Sequence, residues 1–360
     1  MHRFIRDILL FCLLVLTVQV IVSLDWKIVR NLETGKATAL RIGIPIPYEP
    51  APEIRAVQKY QVEHPELGFL WKPSISERDN VVVAWGDVPA GAITTDDIGF
   101  ANSKEAVAYR ESGQPVDIIG IGASYIGGAQ KLFHEYFALN GYSYYSFAHG
   151  RFTLPQYNIA LEKYALPEKP KWIIYGLNEV SFALIPDFEA WRKTEIGWFE
   201  YHSGTWCGPA IKRGFPYDQL RACPRLNNVY LNTMNNFFPK GLGKKPSQKE
   251  LVQKTERYII DAWKKTESHG IGFILLLIPS KVRMVQGPSP ALYLFDDLVP
   301  RLSRAGVPII DLRDTYKQVE DPSLLYFQQD AHWNQTGVYR AAREILAYIE
   351  TALPKGKKIE

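Results

Sequence analysis

The chain has 360 residues, 46% of them hydrophobic and 13% aromatic, which is enough to bury one large core or one core with a smaller appendage. Its formal net charge is +4, and the basic residues are scattered along the sequence. A nucleic-acid surface would show a denser basic stripe interleaved with aromatic residues, so we expect no nucleic-acid partner.

The N-terminus carries an apolar run over residues 8–24, preceded by Arg3 and Arg6. The run is 17 residues long, at the short limit for a membrane-spanning helix. The positive charge before it predicts a cytoplasmic N-terminus and export of the rest of the chain. No Ala-x-Ala-like site ends the run, which favours an uncleaved single-pass anchor over residues 1–24; a cleaved signal peptide is the alternative. Both interpretations predict a periplasmic or otherwise extracytoplasmic domain.

Two cysteines, Cys207 and Cys223, follow the apolar run, and the third, Cys12, lies within it. In an oxidising compartment the first two form a natural pair, so we regard them as a disulfide candidate. A bridge between them would close a loop of about 17 residues and stabilise the fold by roughly 3 kcal/mol. Two unrelated thiols are the alternative.

Residues 25–110 are rich in proline and turn residues with short extended pieces, which predicts a stalk and a β-rich entry segment. From residue 111 to 354, short apolar runs alternate with amphipathic stretches. The runs predict strands over 116–121, 142–148, 171–175, 271–278 and 307–312, and the stretches predict helices over 126–139, 155–164, 179–185, 291–304 and from 334 onward.

This alternation predicts a three-layer α/β/α domain of the α/β class, with a mainly parallel sheet of about five strands. Residues 186–246 interrupt the rhythm with several tryptophans and both exported cysteines. We interpret them as a cap inserted over the strand ends.

Ligands of an open parallel sheet bind beyond the carboxyl ends of its strands, so the residues after each predicted strand are candidates. The first strand leads into Gly120-Ile121-Gly122-Ala123-Ser124. A dinucleotide fingerprint would need glycine where Tyr125 stands, and a P-loop would need lysine in place of Gly128, so no nucleotide cofactor is predicted. Ser124 at a strand-to-helix turn could be a nucleophile near oxyanion-stabilising N–H groups; taken alone, such a serine is more often a helix N-cap.

Three further positions carry polar candidates. Gly150 follows the second strand, where an N–H without a neighbouring side chain can face a ligand, and His149 beside it is more typical of a structural histidine. Asn178 follows the third strand and can donate its amide N–H or cap the next helix. Asp330 and His332 are two residues apart, so in an extended segment the carboxylate can orient the imidazole. Since all fall at one sheet edge, we predict a catalytic site there.

A metal centre is not predicted. His149, His202 and His332 lie on separate predicted elements, and the sequence has no His-x-His or Cys-x-x-Cys pair.

The order of these residues resembles that of the SGNH (GDSL-type) hydrolase family. Residues 119–125 are similar to the first block, which implies Ser124 as the nucleophile. Gly150 and Asn178, in Tyr175-Gly176-Leu177-Asn178-Glu179, are similar to the second and third blocks and imply an oxyanion hole formed with the Ser124 N–H. Asp330-Ala331-His332-Trp333-Asn334 resembles the last block, in the Asp-x-His-Trp version of bacterial polysaccharide O-acetyltransferases.

The resemblance also covers 65–73 and 97–100, which are similar to the segment before the first block in membrane-tethered members. Two departures accompany it. Ala123 replaces the aspartate of Gly-Asp-Ser, and Asp330 is one residue closer to His332 than in the common Asp-x-x-His.

The resemblance implies a serine-dependent carboxylic-ester hydrolase or O-acyltransferase without a cofactor. Its expected substrate is an extracytoplasmic carbohydrate or polysaccharide ester, and a transferase would need a membrane acyl-donor protein as partner. Because Ala123 departs from the family pattern, a catalytically inactive polysaccharide-binding or assembly protein on the same fold is the alternative.

Overall fold

In a computed structural model, the structure describes residues 60–352 of the chain, with gaps at 80–81, 84–90, 179–180, 183, 195–196, 199–246, 288–293 and 329. The chain divides into two compact units, and every helix and strand given below lies in the larger one, residues 56–193 and 246–360.

Several predictions fall outside the described ranges: the membrane anchor over 1–24, the cysteine pair Cys207 and Cys223, and most of the cap. Within the described ranges, no helix has the length and apolar character needed to cross a bilayer.

The entry segment is β-rich, as predicted, and consists of short antiparallel ribbons. Its described pairs are β1 (Gln61–His64) with β2 (Gly68–Trp71), β3 (Val82–Val83) with β4 (Gly91–Ala92), and β5 (Thr94–Thr95) with β6 (Ala101–Asn102). A 3-10 turn (Glu77–Asp79) follows β2, and helix α1 (Lys104–Glu111) follows β6.

The central sheet has five parallel strands, which confirms the predicted fold class. In chain order they are β7 (Ile118–Gly122), β8 (Tyr144–Ser146), β9 (Trp172–Asn178), β10 (Gly272–Ile278) and β11 (Ile309–Asp311). Their spatial order is β8-β7-β9-β10-β11, with every neighbouring pair parallel. This is the flavodoxin-like order 2-1-3-4-5, whose ligand crevice lies where the order reverses, between β7 and β9.

Helices follow the strands as expected for this fold. They are α2 (Ser124–Leu139), α3 (Leu154–Ala160), α4 (Ile185–Trp191), α5 (Gln248–Ser268), α6 (Lys281–Gln286), α7 (Leu294–Ala305), α8 (Leu312–Lys317) and α9 (Gln335–Ala352). A π turn (Leu161–Ala165) and a 3-10 turn (Leu166–Glu168) extend α3, and another 3-10 turn (Pro322–Leu325) precedes α9.

Alternating side chains of the strands give the sheet two buried faces. On one face, Ile118, Ile174 and Leu276 form a single apolar cluster with residues of α2 and α9. On the other, the Tyr175 ring lies 5.3 Å from Tyr157 of α3, and α3 packs against α5. The result is the predicted three-layer arrangement.

One predicted helix is wrong. Ser181 and Phe182 form a turn, and α4 begins only at Ile185, with Pro186 in its first turn. The Asn178 carbonyl accepts a hydrogen bond from the Ser181 N–H, which closes a tight turn directly after β9. Proline has no N–H and is well suited to the first turn of a helix, so Pro186 marks a helix start.

The entry segment also covers the outer edge of β8. The Asn102 amide donates to the Ser146 carbonyl (2.9 Å) and accepts from the Ser146 N–H (2.9 Å), so a side chain takes the place of a neighbouring strand. Nearby, the buried Asp96 carboxylate accepts from the Phe100 N–H (2.8 Å) and the Tyr145 hydroxyl (2.7 Å). These bonds attach the ribbons to the core.

The first turn of α2 lies unusually close to the sheet because the strand positions beneath it lack side chains. A Cβ on Gly122 would lie 2.6 Å from Cγ1 of Ile126, and one on Gly176 would overlap both Cγ1 and Cδ1 of the same side chain. Ile126 is fully buried there. This close packing determines where α2 begins.

We predict that Gly176→Ala destabilises the fold by about 1–3 kcal/mol, because Ile126 or the helix backbone must shift to accommodate the methyl group. Gly128→Ala is the matched control within α2. No atom lies within 4 Å of its added Cβ, so it should stabilise by about 0.4–1 kcal/mol. Urea midpoints at unchanged m-value measure both effects. Equal stability of Gly176→Ala and the wild type would contradict the close-packing argument.

Candidate active site

Ser124 is the first residue of α2 and directly follows the loop after β7. Its Oγ lies 2.7 Å from Nε2 of His332. The N-cap position belongs to Ala123, whose side chain makes no capping bond and whose carbonyl accepts from the Ile126 and Gly127 N–H groups. The serine hydroxyl therefore does not cap the helix and is directed to the histidine.

Asp330 lies on the other side of the imidazole. Its Oδ1 is in hydrogen-bond contact with His332 Nδ1 and also accepts from the His332 backbone N–H, at 2.7 Å. The contact with the imidazole is the main factor that lowers the pKa of Asp330, assisted by the backbone bond and by the positive charge of Lys281. With Nδ1–H donated to a carboxylate, Nε2 is left as the acceptor that can take a proton from Ser124.

The short Asp-x-His spacing is compatible with this contact. A carboxylate that accepts the N–H two residues ahead forms an Asx turn, and the turn folds the imidazole back over the carboxylate. The contact between Asp330 and His332 therefore does not require the extended segment that the sequence predicted.

The loop that carries the histidine is fixed by several hydrogen bonds. Lys281, at the start of α6, donates from Nζ to the carbonyls of Phe327 (2.8 Å) and Gln328 (2.6 Å). Asn334 caps α9 through bonds from the N–H groups of Thr336 and Gly337. The sequence analysis did not identify Lys281, because a lysine after an apolar strand carries no distinctive pattern.

Asn178 ends β9, the strand next to β7. Its Oδ1 accepts from both the N–H (3.0 Å) and the hydroxyl (2.8 Å) of Ser181. A backbone N–H can only donate, so the atom that faces Ser181 is the oxygen, and the amide Nδ2 is turned the other way. Ser181 is held in turn by Thr153, which donates to its carbonyl at 2.6 Å, and by the Tyr157 hydroxyl at 3.0 Å. Ser181 is a second residue that sequence reasoning missed.

Gly150 lies in a four-residue turn after β8, closed by a 3.2 Å bond from the Phe152 N–H to the His149 carbonyl. Arg151 within the turn has φ +68°, a left-handed conformation that is rare for a non-glycine residue. The structure gives the Gly150 N–H no acceptor among the described residues. Its role as an oxyanion donor stays a prediction, as do the catalytic roles of Ser124, His332 and Asp330.

His149 is fully buried among aromatic rings, with centroids 4.9 Å from Phe69, 5.1 Å from Trp71 and 5.2 Å from Phe152. Its Nδ1 donates to the Gly150 carbonyl at 2.8 Å, and Nε2 has no partner among the described residues. Burial lowers the pKa of His149 to about 4. It is therefore a neutral, structural part of the turn at neutral pH.

This burial predicts an acid-sensitive stability. Between pH 6.5 and about 4, His149 is protonated in the unfolded chain but not in the folded chain. The free energy of unfolding therefore falls as the pH falls through this window. The full loss amounts to about 3 kcal/mol. In His149→Gln the pH dependence should be weaker by this amount.

Urea unfolding at pH 7, 6, 5 and 4.5 measures the effect, with His269→Gln as the control because His269 is exposed at the end of α5. The same pH slope in His149→Gln and the wild type would contradict the assignment.

Among the described residues, no group of three or more histidine, cysteine, aspartate or glutamate side chains is arranged to hold a metal ion.

The chain has a flavodoxin-like α/β/α fold, with a serine, a histidine and an aspartate joined by hydrogen bonds at one end of the sheet. Residues 237–360 match a family described as the SGNH hydrolase-like domain of the acetyltransferase AlgX. The match includes Asp330 and His332, whereas Ser124, Gly150 and Asn178 precede it.

No curated protein matches the chain. Solved structures with a similar fold include a lipase/acylhydrolase from Enterococcus faecalis, which is 12% identical with a TM-score of 0.41 and covers 68% of this chain and 100% of its own. A GDSL-like lipase from Bacteroides thetaiotaomicron is 14% identical with a TM-score of 0.39, covering 69% and 98%. An acetyl xylan esterase is 12% identical with a TM-score of 0.41, covering 65% and 100%.

Proposed function

We propose that this protein is a serine-dependent carboxylic-ester hydrolase or O-acyltransferase that acts on an extracytoplasmic carbohydrate or polysaccharide ester. The observation that carries the proposal is the 2.7 Å approach of Ser124 Oγ to His332 Nε2, with Asp330 on the other ring nitrogen. A hydroxyl with a base, and a base with an orienting carboxylate, is the arrangement that nucleophilic catalysis requires.

In the proposed reaction, Nε2 of His332 takes the hydroxyl proton while Ser124 Oγ attacks the ester carbonyl. The imidazolium is stabilised by Asp330. The tetrahedral intermediate then expels the alcohol, which leaves with the proton from His332, and an acyl group remains on Ser124. Water completes a hydrolysis and a sugar hydroxyl completes a transfer, each activated by the same histidine.

The negative charge that develops on the ester carbonyl oxygen in the tetrahedral intermediate must be stabilised by hydrogen-bond donors. Ser124 opens α2, and the first N–H groups of a helix have no partner within it, so its own N–H is free for the oxyanion. The Asn178 amide nitrogen, turned away from Ser181, is the second proposed donor, and the Gly150 N–H is the third. The absence of a capping side chain at Ala123 leaves the helix N-terminus open.

Two observations support the substrate class. The family matched by residues 237–360 is described as the SGNH hydrolase-like domain of an acetyltransferase. The proposed cap over 186–246 contains three tryptophans and three tyrosines, residue types whose faces pack on sugar rings. The apolar run over 8–24 supports an extracytoplasmic location, where a membrane acyl-donor protein could supply the acyl group.

The direct test is covalent labelling of the full-length protein with a fluorophosphonate probe, together with turnover of p-nitrophenyl acetate. We expect Ser124→Ala to abolish labelling and to lower turnover by at least about 10³-fold, and Asp330→Asn to lower it by about 10²–10⁴-fold through the wrong imidazole tautomer. Ser268→Ala is the control, since this exposed serine ends α5 just before β10 begins.

Folded wild-type protein that neither labels nor turns over would favour the catalytically inactive binding or assembly protein. Labelling that persists in Ser124→Ala would assign the reactivity to another residue. Added oligosaccharide acceptor then separates transfer, which yields an acylated sugar, from hydrolysis.

The oxyanion role has a test of its own. Asn178→Ala should lower kcat for p-nitrophenyl acetate by about 10²–10³-fold with a small change in KM, because the lost donor acts mainly in the transition state. Asn140→Ala is the control, because the Asn140 amide caps the opposite end of α2 by donating to the Tyr136 carbonyl. A kcat for Asn178→Ala close to that of the control would remove Asn178 from the oxyanion hole.

A further inference from the structure

Two aromatic residues beside the proposed Ser–His pair, Tyr125 and Trp333, connect the segment after Ser124 to the segment around His332 by hydrogen bonds. The Tyr125 hydroxyl donates to the Ala331 carbonyl at 2.6 Å, and the Trp333 indole N–H donates to the Tyr125 carbonyl at 3.0 Å. Tyr125 directly follows Ser124, while Ala331 and Trp333 flank His332 on either side. The bonds therefore join the residue after the nucleophile to both neighbours of the base.

Both side chains are largely buried. Tyr125 is 5% exposed and Trp333 3% exposed, and their rings lie 5.7 Å apart, edge to face. Phe133 of α2 packs against Trp333 with a centroid distance of 5.9 Å. The bond from Trp333 to Tyr125 is buried and the bond from Tyr125 to Ala331 is half-buried. A buried hydrogen bond is stronger than an exposed one, and leaving one buried partner unsatisfied is costly.

The bonds restrain the peptide group that precedes the histidine. The Ala331 carbonyl is held by Tyr125, and the N–H of the same peptide group, that of His332, is held by Asp330 at 2.7 Å. A peptide group is planar, so bonds at both ends define its orientation. The imidazole position relative to α2 is thereby determined by Tyr125 as well as by the Ser124–His332 contact itself.

The Tyr125 ring also lies against the imidazole, with centroids 4.7 Å apart and planes at 40°. It limits the rotation of the His332 side chain toward the interior. An aromatic face at this distance also favours a cation beside it, and the imidazolium formed during the reaction is such a cation.

We propose that Tyr125 and Trp333 are positioning residues that hold His332 within proton-transfer distance of Ser124. This inference rests on the proposed function, because positioning matters only if the two side chains react. The hydrogen bonds of both residues go to backbone carbonyls and not to the reacting atoms, so their loss should affect the rate of the chemical step and leave substrate binding largely unchanged.

The test compares Tyr125→Phe and Trp333→Phe with the wild type in the turnover of p-nitrophenyl acetate and in the rate of fluorophosphonate labelling. Each variant retains a ring and loses one hydrogen bond. We expect kcat and the labelling rate to fall by about 10- to 10²-fold, with KM changed less than about twofold.

Tyr316→Phe is the matched control. The Tyr316 hydroxyl is buried in the same apolar cluster and donates to a backbone carbonyl, that of Gly337 in α9, at 2.9 Å, whereas Tyr125 and Trp333 bond to groups next to Ser124 and His332. It should lower the melting temperature about as much as Tyr125→Phe and leave kcat unchanged. That difference separates positioning from general stabilisation.

An active wild type in which Tyr125→Phe and Trp333→Phe keep full kcat would overturn the positioning proposal and leave the proposed function intact. The same holds if Tyr316→Phe loses activity to the same extent. A folded wild type without labelling or turnover would instead overturn the proposed function, and the positioning proposal with it. If Trp333→Phe does not fold, the result for Tyr125→Phe alone tests the positioning proposal, because this variant removes a single oxygen atom and is expected to fold.

Discussion

The architecture of the site depends on one steric constraint, the approach of α2 to the junction of β7 and β9. Ile126 occupies the space that side chains at Gly122 and Gly176 would fill, so the helix begins directly above the point where the strand order reverses. Ser124 is thereby placed at the helix N-terminus and at the carboxyl end of the sheet at once. The free N–H groups of the helix, the serine hydroxyl and the end of β9 converge for this reason.

The histidine is brought to this point by a loop that makes its own hydrogen bonds. Lys281 holds two carbonyls of the loop, Asp330 folds it through an Asx turn, and Tyr125 and Trp333 connect it to α2. The serine side of the site is thus fixed by packing against the sheet, and the histidine side by buried polar bonds. Ser124 and His332, which are 208 residues apart in the sequence, are thus held within hydrogen-bond distance by non-covalent contacts.

The sequence predicted the parts of this protein in which one strong signal dominates. Short apolar runs predicted all five strands, most clearly at Gly272–Ile278, since a buried parallel strand is apolar on both faces. Helix α5 was missed because two threonines, Thr255 and Thr266, share its buried face with only three apolar residues, although Ser247 and Glu250 form a capping box at its start. The turn that brings Asp330 to His332 was not predicted, because an Asx turn depends on backbone conformation, which residue spacing does not reveal.

The side-chain amide of Asn102, which bonds both polar groups of Ser146, has a consequence for assembly. A strand with unpaired N–H and C=O groups on its outer side can recruit a strand from another molecule, and this is a common route to aggregation and domain swapping. Here those groups are already occupied by an amide from the same chain. Intermolecular pairing at Ser146 would require Asn102 to be displaced first.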